Sequence, residues 1–256
     1  MNKVLKSTLI SLSILSLASC SGTPTGANNT TYNGSNFGLK ALIVTKILPD
    51  KTNVSSSLRW NGIGGADHYE LSRIQDNGTK IGIGPTKITN TTLTFSDSDL
   101  KENSSYQYSI DAVDSNNRLI SSDKTGNIMP INSTNLQATT IFDLKLNETN
   151  SISRDTTIKW SSVADVDLYY TSISNDSTSK QIFGVFTKNT SVNLNLATSP
   201  ENPPQLIKDQ LPIFTNGLEP AVRHRLSVYT IKSDNKDFEK ATAIGIRQSA
   251  EVKIII

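Results

Sequence analysis

Apolar and polar residues alternate with a period of two through most of the chain, and two stretches repeat the alternation almost residue for residue. Leu58-Arg59-Trp60 and Ile158-Lys159-Trp160 each place a cation between two apolar residues. On a pleated strand this sends the apolar pair to one face and the base to the other, so each stretch predicts a half-buried strand. The match continues at a constant offset of 100, pairing Asp67 with Asp167, Tyr69 with Tyr169 and Ser72 with Ser172. Further on, Leu100 precedes Tyr106-Gln107-Tyr108-Ser109-Ile110-Asp111-Ala112 by six residues, as Leu218 precedes His224-Arg225-Leu226-Ser227-Val228-Tyr229-Thr230. The offset is now 118, so roughly 18 additional residues lie between Ser172 and Leu218. Such an internal repeat predicts two copies of one domain, the second carrying an insertion.

The remaining strands follow from the same period and from turn chemistry. Leu39 to Ile47 and Leu136 to Leu146 read as the first strands of the two copies. Asp76-Asn77-Gly78 separates two alternating runs, and Asn-Gly supplies the positive backbone angles of a tight hairpin; Asn175-Asp176-Ser177 makes the equivalent break in copy two. Thr91 to Phe95 and Ser191 to Leu196 fit a fifth strand in each copy. Arg118-Leu119-Ile120 and Ala241 to Ile246 begin the last strands, after polar loops at Asp114 to Asn117 and Ser233 to Asp237. No helical period is sustained beyond the N-terminal segment, so the chain is predicted to be nearly all β.

These residues resemble tandem fibronectin type III domains. The tryptophan on strand B, the tyrosine on strand C and Gly217-Leu218-Glu219-Pro220 leading into strand F follow that family's pattern. The resemblance implies an all-β fold of two tandem immunoglobulin-like (fibronectin type III) β-sandwiches, at 38–130 and 131–256, the second with an insertion near 197–214. It also implies a tyrosine corner, in which a phenol hydroxyl bonds back to nearby backbone. Tyr106 fits that role, and His224 departs from it. The connector from Ile128 to Asn135 contains Pro130 and little else that is rigid, which predicts beads in sequence, bending at the joint and forming an extended rod.

The N-terminus changes the picture of where the chain acts. Lys3 and Lys6 precede an apolar run from Leu9 to Leu17, which ends in Ala18-Ser19-Cys20. The run is too short, and too often interrupted by serine, to span a bilayer. It resembles the lipobox of bacterial lipoproteins. That resemblance implies a signal peptide over 1–19, cleavage before Cys20, a diacylglyceryl group on its thiol and acylation of the new amino terminus. Ser21 in place of aspartate resembles the outer-membrane sorting rule of that family. Two acyl chains suffice for stable anchoring. Residues 20–37, rich in Ser, Thr, Gly and Asn, read as a flexible tether.

Cys20 is the only cysteine, so no disulfide framework is available and each domain relies on its core. Residues 1–19 contribute two lysines and no acid, leaving 23 basic against 23 acidic side chains. With no basic stripe interleaved with aromatics, nucleic acid is not an expected partner. Candidate chemistry is sparse. The two histidines, His68 and His224, fall in different copies. The aspartate pairs Asp97 with Asp99, Asp111 with Asp114 and Asp165 with Asp167 lack the pattern of a calcium loop and read as turn residues. Gly62-Ile63-Gly64-Gly65 precedes a strand rather than a helix and so lacks a phosphate-cradling end. No catalytic residue, metal site or cofactor is expected, and the chain is read as a non-enzyme.

The stretch from Ala197 to Phe214 is what the scaffold leaves unexplained. It holds Pro200, Pro203, Pro204 and Pro212 with Leu206, Ile207, Leu211, Ile213 and Phe214 among them. So many apolar residues need burial, against the sandwich edge or against a partner. Tyr170 and Tyr229 neighbour inward residues on their strands and should point outward. Together these seven residues form the expected partner surface. Three roles stay open: a protein-interaction or adhesion module on a lipid-anchored envelope protein, a passive spacer, and a carbohydrate-binding accessory protein using the outward tyrosines.

Overall fold

The computed structural model describes residues 37–75, 77–98, 100–142, 144, 152–153, 155–215 and 222–255. In the first half, strands β1 (Lys40–Ile47), β2 (Thr52–Arg59) and β6 (Thr94–Asp97) pair as one sheet. Strands β3 (His68–Ile74), β4 (Lys80–Gly82), β5 (Ile88–Thr89), β7 (Gln107–Val113) and β8 (Leu119–Lys124) form the other. The second half repeats this. Strands β9 (Ile141–Phe142), β10 (Thr157–Trp160) and β13 (Ser191–Asn193) oppose β11 (Leu168–Asn175), β12 (Gln181–Thr187), β15 (Arg223–Ser233), β16 (Ala243–Gln248) and β17 (Val252–Ile255). The insertion contributes one helical turn, α1 (Gln205–Lys208), and a short strand, β14 (Phe214–Thr215), on the edge of β12. Both halves are immunoglobulin-like sandwiches in the fibronectin type III arrangement, with sheets A-B-E and C′-C-F-G.

The repeated residues do the same work twice. Trp60 meets the Tyr69 ring at 5.8 Å, and Trp160 meets Tyr169 at 5.5 Å. Each phenol oxygen then accepts a backbone N–H six residues upstream, from Ile63 at 3.0 Å and from Val163 at 3.1 Å. The offset of 100 thus reaches the hydrogen bond that pins each B–C loop. The tyrosine corner is present in the first sandwich, where Lys101 N donates to the Tyr106 hydroxyl at 2.6 Å. In the second, His224 is fully buried on β15, while Leu218 and the rest of 217–220 lie outside the described residues. So do Asp76, Asp99, Asp143 and residues 145–146 of the expected first strand of copy two.

The cores differ in one respect. In the first sandwich Asp97, 6% exposed, lies 3.1 Å from the Arg73 guanidinium and accepts the Tyr108 hydroxyl at 3.0 Å, stapling β6 to β3 and β7. At the same offsets the second sandwich has Ile173 and Leu226, both in its apolar core.

The expected beads are not what the chain forms. Strand β1 pairs in parallel with β16, from Ile43 opposite Ala243 to Ile47 opposite Arg247. One sheet therefore runs through both sandwiches in the order β14-β12-β11-β15-β16-β1-β2-β6, with β17 extending β15. Local composition explains the pairing. Strand β2 alternates between buried and half-buried positions, as a strand with one wet face should. Strand β1 is Lys-Ala-Leu-Ile-Val-Thr-Lys-Ile and is buried at five consecutive positions. Ala41 and Ile43 face the first core, while Leu42 and Val44 join Leu168, Tyr170, Phe186, Ile231, Ile244 and Ile246 in a third cluster spanning the boundary.

The connector is equally fixed. Ile128 and Tyr106 exchange backbone hydrogen bonds of 2.8 and 2.9 Å, and Ser133 N donates to Glu102 Oε2 at 2.8 Å. Leu136 and Ile131 then pack over Gly245, where a Cβ would stand 2.8 Å from Leu136 Cδ2 and 3.0 Å from Ile131 Cγ2. Arg247 Nη1 donates to Leu136 O and Thr230 Oγ1 to Gln137 O, each at 2.8 Å. A joint laid across β16 and β15 in this way has no room to act as a hinge.

Placing a carboxylate at the centre of the boundary cluster tests this packing. Val44→Asp buries an unpaired charge and is expected to cost about 3–5 kcal/mol, read as a lowered urea midpoint. A cost under about 0.5 kcal/mol, the usual range for surface substitutions, would contradict the burial of Val44.

Candidate functional site

The residues expected to meet a partner converge on one place, and most of them are already covered there. The insertion leaves β13 and returns to β12, where Glu201 N donates to Phe186 O at 3.0 Å and Phe186 N to Ser199 Oγ at 2.8 Å. Pro204 opens α1, which reaches the first sandwich: Asp209 lies 3.5 Å from the Arg59 guanidinium and Gln210 Nε2 donates to Ser57 Oγ at 3.0 Å. The chain then passes back over Tyr170, whose hydroxyl donates to Pro212 O at 2.7 Å and accepts from Gln181 Nε2, before pairing as β14. Gly184 lies beneath this crossing, where a Cβ would stand 2.7 Å from Pro212 O.

The insertion is thus a strap across the shared sheet. Ile207 and Leu211 are 1% and 5% exposed in the boundary cluster, and Ile213 is half-buried against it. Burying each such side chain contributes roughly 1.5–3 kcal/mol. Phe214 is half-buried on the sheet edge. The Leu206 side chain lies outside the description. Tyr170 is 1% exposed and packs on Phe186 at 4.7 Å and on Tyr229 at 5.7 Å. The expectation of an outward-facing partner surface is therefore corrected for Ile207, Leu211 and Tyr170. All three lie instead in the cluster that joins Leu42 and Val44 of the first sandwich to Leu168, Phe186, Ile231, Ile244 and Ile246 of the second. A sugar platform on Tyr170 is closed for the same reason. Cys20, the signal segment over 1–19 and the tether lie outside the described residues.

The other candidates lie apart from one another. His68, 3% exposed, places Nδ1 3.0 Å from Asp67 Oδ2, while His224 sits in the other sandwich. Asp167 accepts Ser233 N at 2.9 Å and bonds Lys236, fixing the end of β15. Asp114 accepts the backbone N–H of Arg118 at 2.9 Å and of Asn116 at 2.8 Å, and these bonds, led by Arg118, hold its carboxyl below the usual range. Among the described residues no group of three His, Cys, Asp or Glu is placed to hold a metal. No helix among them is long and apolar enough to cross a membrane.

Among the described residues a cleft of about 780 Å³ lies at the end of the junction where β1 begins. Its wall combines both sandwiches with the strap: Lys40, Arg59 and Lys124 from the first, Lys240 from the second and Gln205 from the strap, around Ile207 and Trp60. Arg59 stands 3.5 Å from Asp209 and Lys240 2.9 Å from Asp237, while Lys40 and Lys124 bring two further cations to a lining that also holds Glu239. This cleft exists only because the sandwiches are fused, and the repeat pattern alone held no sign of it.

No protein-family model matches the chain, and no curated protein matches it in sequence. Among solved structures it is similar to a two-domain fibronectin type III segment of chicken tenascin, at 15% identity over 79% of this chain and 91% of that one, TM-score 0.27. It is similar to the FN1–FN3 domains of chicken CNTN1, at 12% identity over 84% and 62%, TM-score 0.39. It is also similar to the BSP domain of a biofilm-associated protein, at 17% identity over 85% and 29%, TM-score 0.25.

The tyrosines beneath the strap make the junction sensitive to alkali. Burial, reinforced by Glu251 and opposed by Arg225, pushes the Tyr229 phenol up to about 12 from its ordinary 10.0, and burial raises Tyr170 as well. Above pH 10 the unfolded chain releases phenolic protons that the folded chain retains, so stability falls as pH rises from about 10 to about 12. The urea midpoint is expected to drop across that window, less steeply in Tyr229→Phe. A midpoint constant to pH 12 would show that these phenols are solvated.

Proposed function

We propose that this chain is a lipid-anchored bacterial envelope protein whose two fused sandwiches act as a single non-catalytic interaction or adhesion module. The observation that carries the reading is the junction cleft. It is a concavity of about 780 Å³ in which charged and amide side chains surround Trp60 and Ile207, a shape that can seat a projecting segment of a partner. The boundary cluster holds its two walls at a fixed separation, and preorganised walls reduce the entropy lost on docking. The polar and cationic groups of the rim, Lys40, Arg59, Lys124, Lys240 and Gln205, offer hydrogen-bond donors to a partner that fits between the walls. Cys20, at the end of the signal-like segment, supplies the anchor, and the tether places the cleft off the membrane.

Two measurements on intact cells test this. Incorporation of labelled palmitate is expected for the wild type and lost in Cys20→Ala. A photo-crosslinking residue at Gln205 or Asn127, both lining the cleft, is expected to capture one specific envelope partner. The same probe at Thr178, exposed in the turn between β11 and β12 and outside the cleft lining, should not. Equal, scattered capture from all three positions would leave a passive spacer as the better account.

A further inference from the structure

The parallel pairing of β1 with β16 sets how the molecule takes up tension. Because the strands run the same way, the N-terminal end of β1 at Lys40 and the C-terminal end of β16 at Gln248 lie at opposite ends of one ladder. A pull entering at β1 and resisted beyond β16 therefore acts along the strands and loads all its rungs together. Pulling the two N-terminal ends apart would instead open the rungs one at a time. On its other side β1 is antiparallel to β2 over its whole length, from Lys40 opposite Arg59 to Ile47 opposite Thr52. Sliding is opposed on both faces: Leu42, Ile43, Val44 and Thr45 are each at most 1% exposed, and a slip of one residue would exchange the two apolar sets. Before the strand, Leu39 N donates to Asp123 Oδ2 at 3.0 Å.

We infer that β1 is a shear clamp. Tension arriving from the N-terminal side passes sideways into the second sandwich through the β1–β16 ladder, bypassing the body of the first sandwich and the connector. In a chain of beads the connector would carry the whole load and each sandwich would yield separately. Here Ile128 to Leu136 lies outside the load path. That such tension arises in the cell rests on the anchor at Cys20; the clamp itself does not.

Single-molecule pulling on the Cys20→Ala variant, truncated to begin at position 20, separates the alternatives. Handles at the two termini load the ladder in shear, whereas handles at the N-terminus and at Thr242→Cys peel it from one end. Forced rupture reports the unfolding barrier along the pulled direction. The rupture force is expected to be several-fold higher in the first geometry. Lys240→Cys, an exposed site next to the same strand end, gives a second peeling handle free of the Thr242 bond to Asp234. Equal forces in both geometries, or two separate releases of similar length between the termini, would overturn the clamp. Absence of palmitate at Cys20 would overturn the anchor and leave the clamp standing.

Discussion

The fold depends on a mutual need between two strands. Each sandwich on its own would end in an open edge, at β1 in the first and at β16 in the second, and each of these strands carries an apolar outer face. Open apolar edges invite pairing with other chains. Joining β1 to β16 removes both edges and lays Leu42 and Val44 beside Ile244 and Ile246. The strap then covers the combined face, and the connector fills the opposite side above Gly245. Without that ladder neither cover would have a continuous surface to lie on.

Much of each sandwich was legible in the amino-acid sequence, because its determinants are local. The tryptophan and tyrosine at fixed spacing meet within each half, and Tyr106 makes the corner its position implies. The relation between the halves was harder to read, since it depends on pairing across about 200 residues. Yet a sign was present: Ala41-Leu42-Ile43-Val44 does not alternate, and an unbroken apolar run is what a strand buried on both faces requires. The runs in β11 and β12 carry the same mark. Reading Tyr170 as outward was geometrically sound for its own sandwich and missed the cover beyond it. The strap's apolar residues did need cover, and the boundary cluster, drawn from both sandwiches, supplies it.

For function, fusion replaces two jointed domains with one body that has a built cleft. The polar staple of Asp97, Arg73 and Tyr108 and the apolar core around Trp160 stiffen its two halves by different means. Arg59 and Lys240 on the cleft rim each stand beside a carboxylate, and Lys40 and Lys124 add two further cations to its lining.

Whether the two sandwiches unfold as one cooperative unit can be measured with the two tryptophans. Trp60 and Trp160 report on different halves, so Trp60→Phe and Trp160→Phe each leave a single probe, and urea unfolding of the two variants can be compared after correction for their stabilities. Coincident transitions with the same dependence on urea are predicted, since loss of either half strips the boundary cluster from the other. Two transitions at separate midpoints, one for each tryptophan, would show two independent domains.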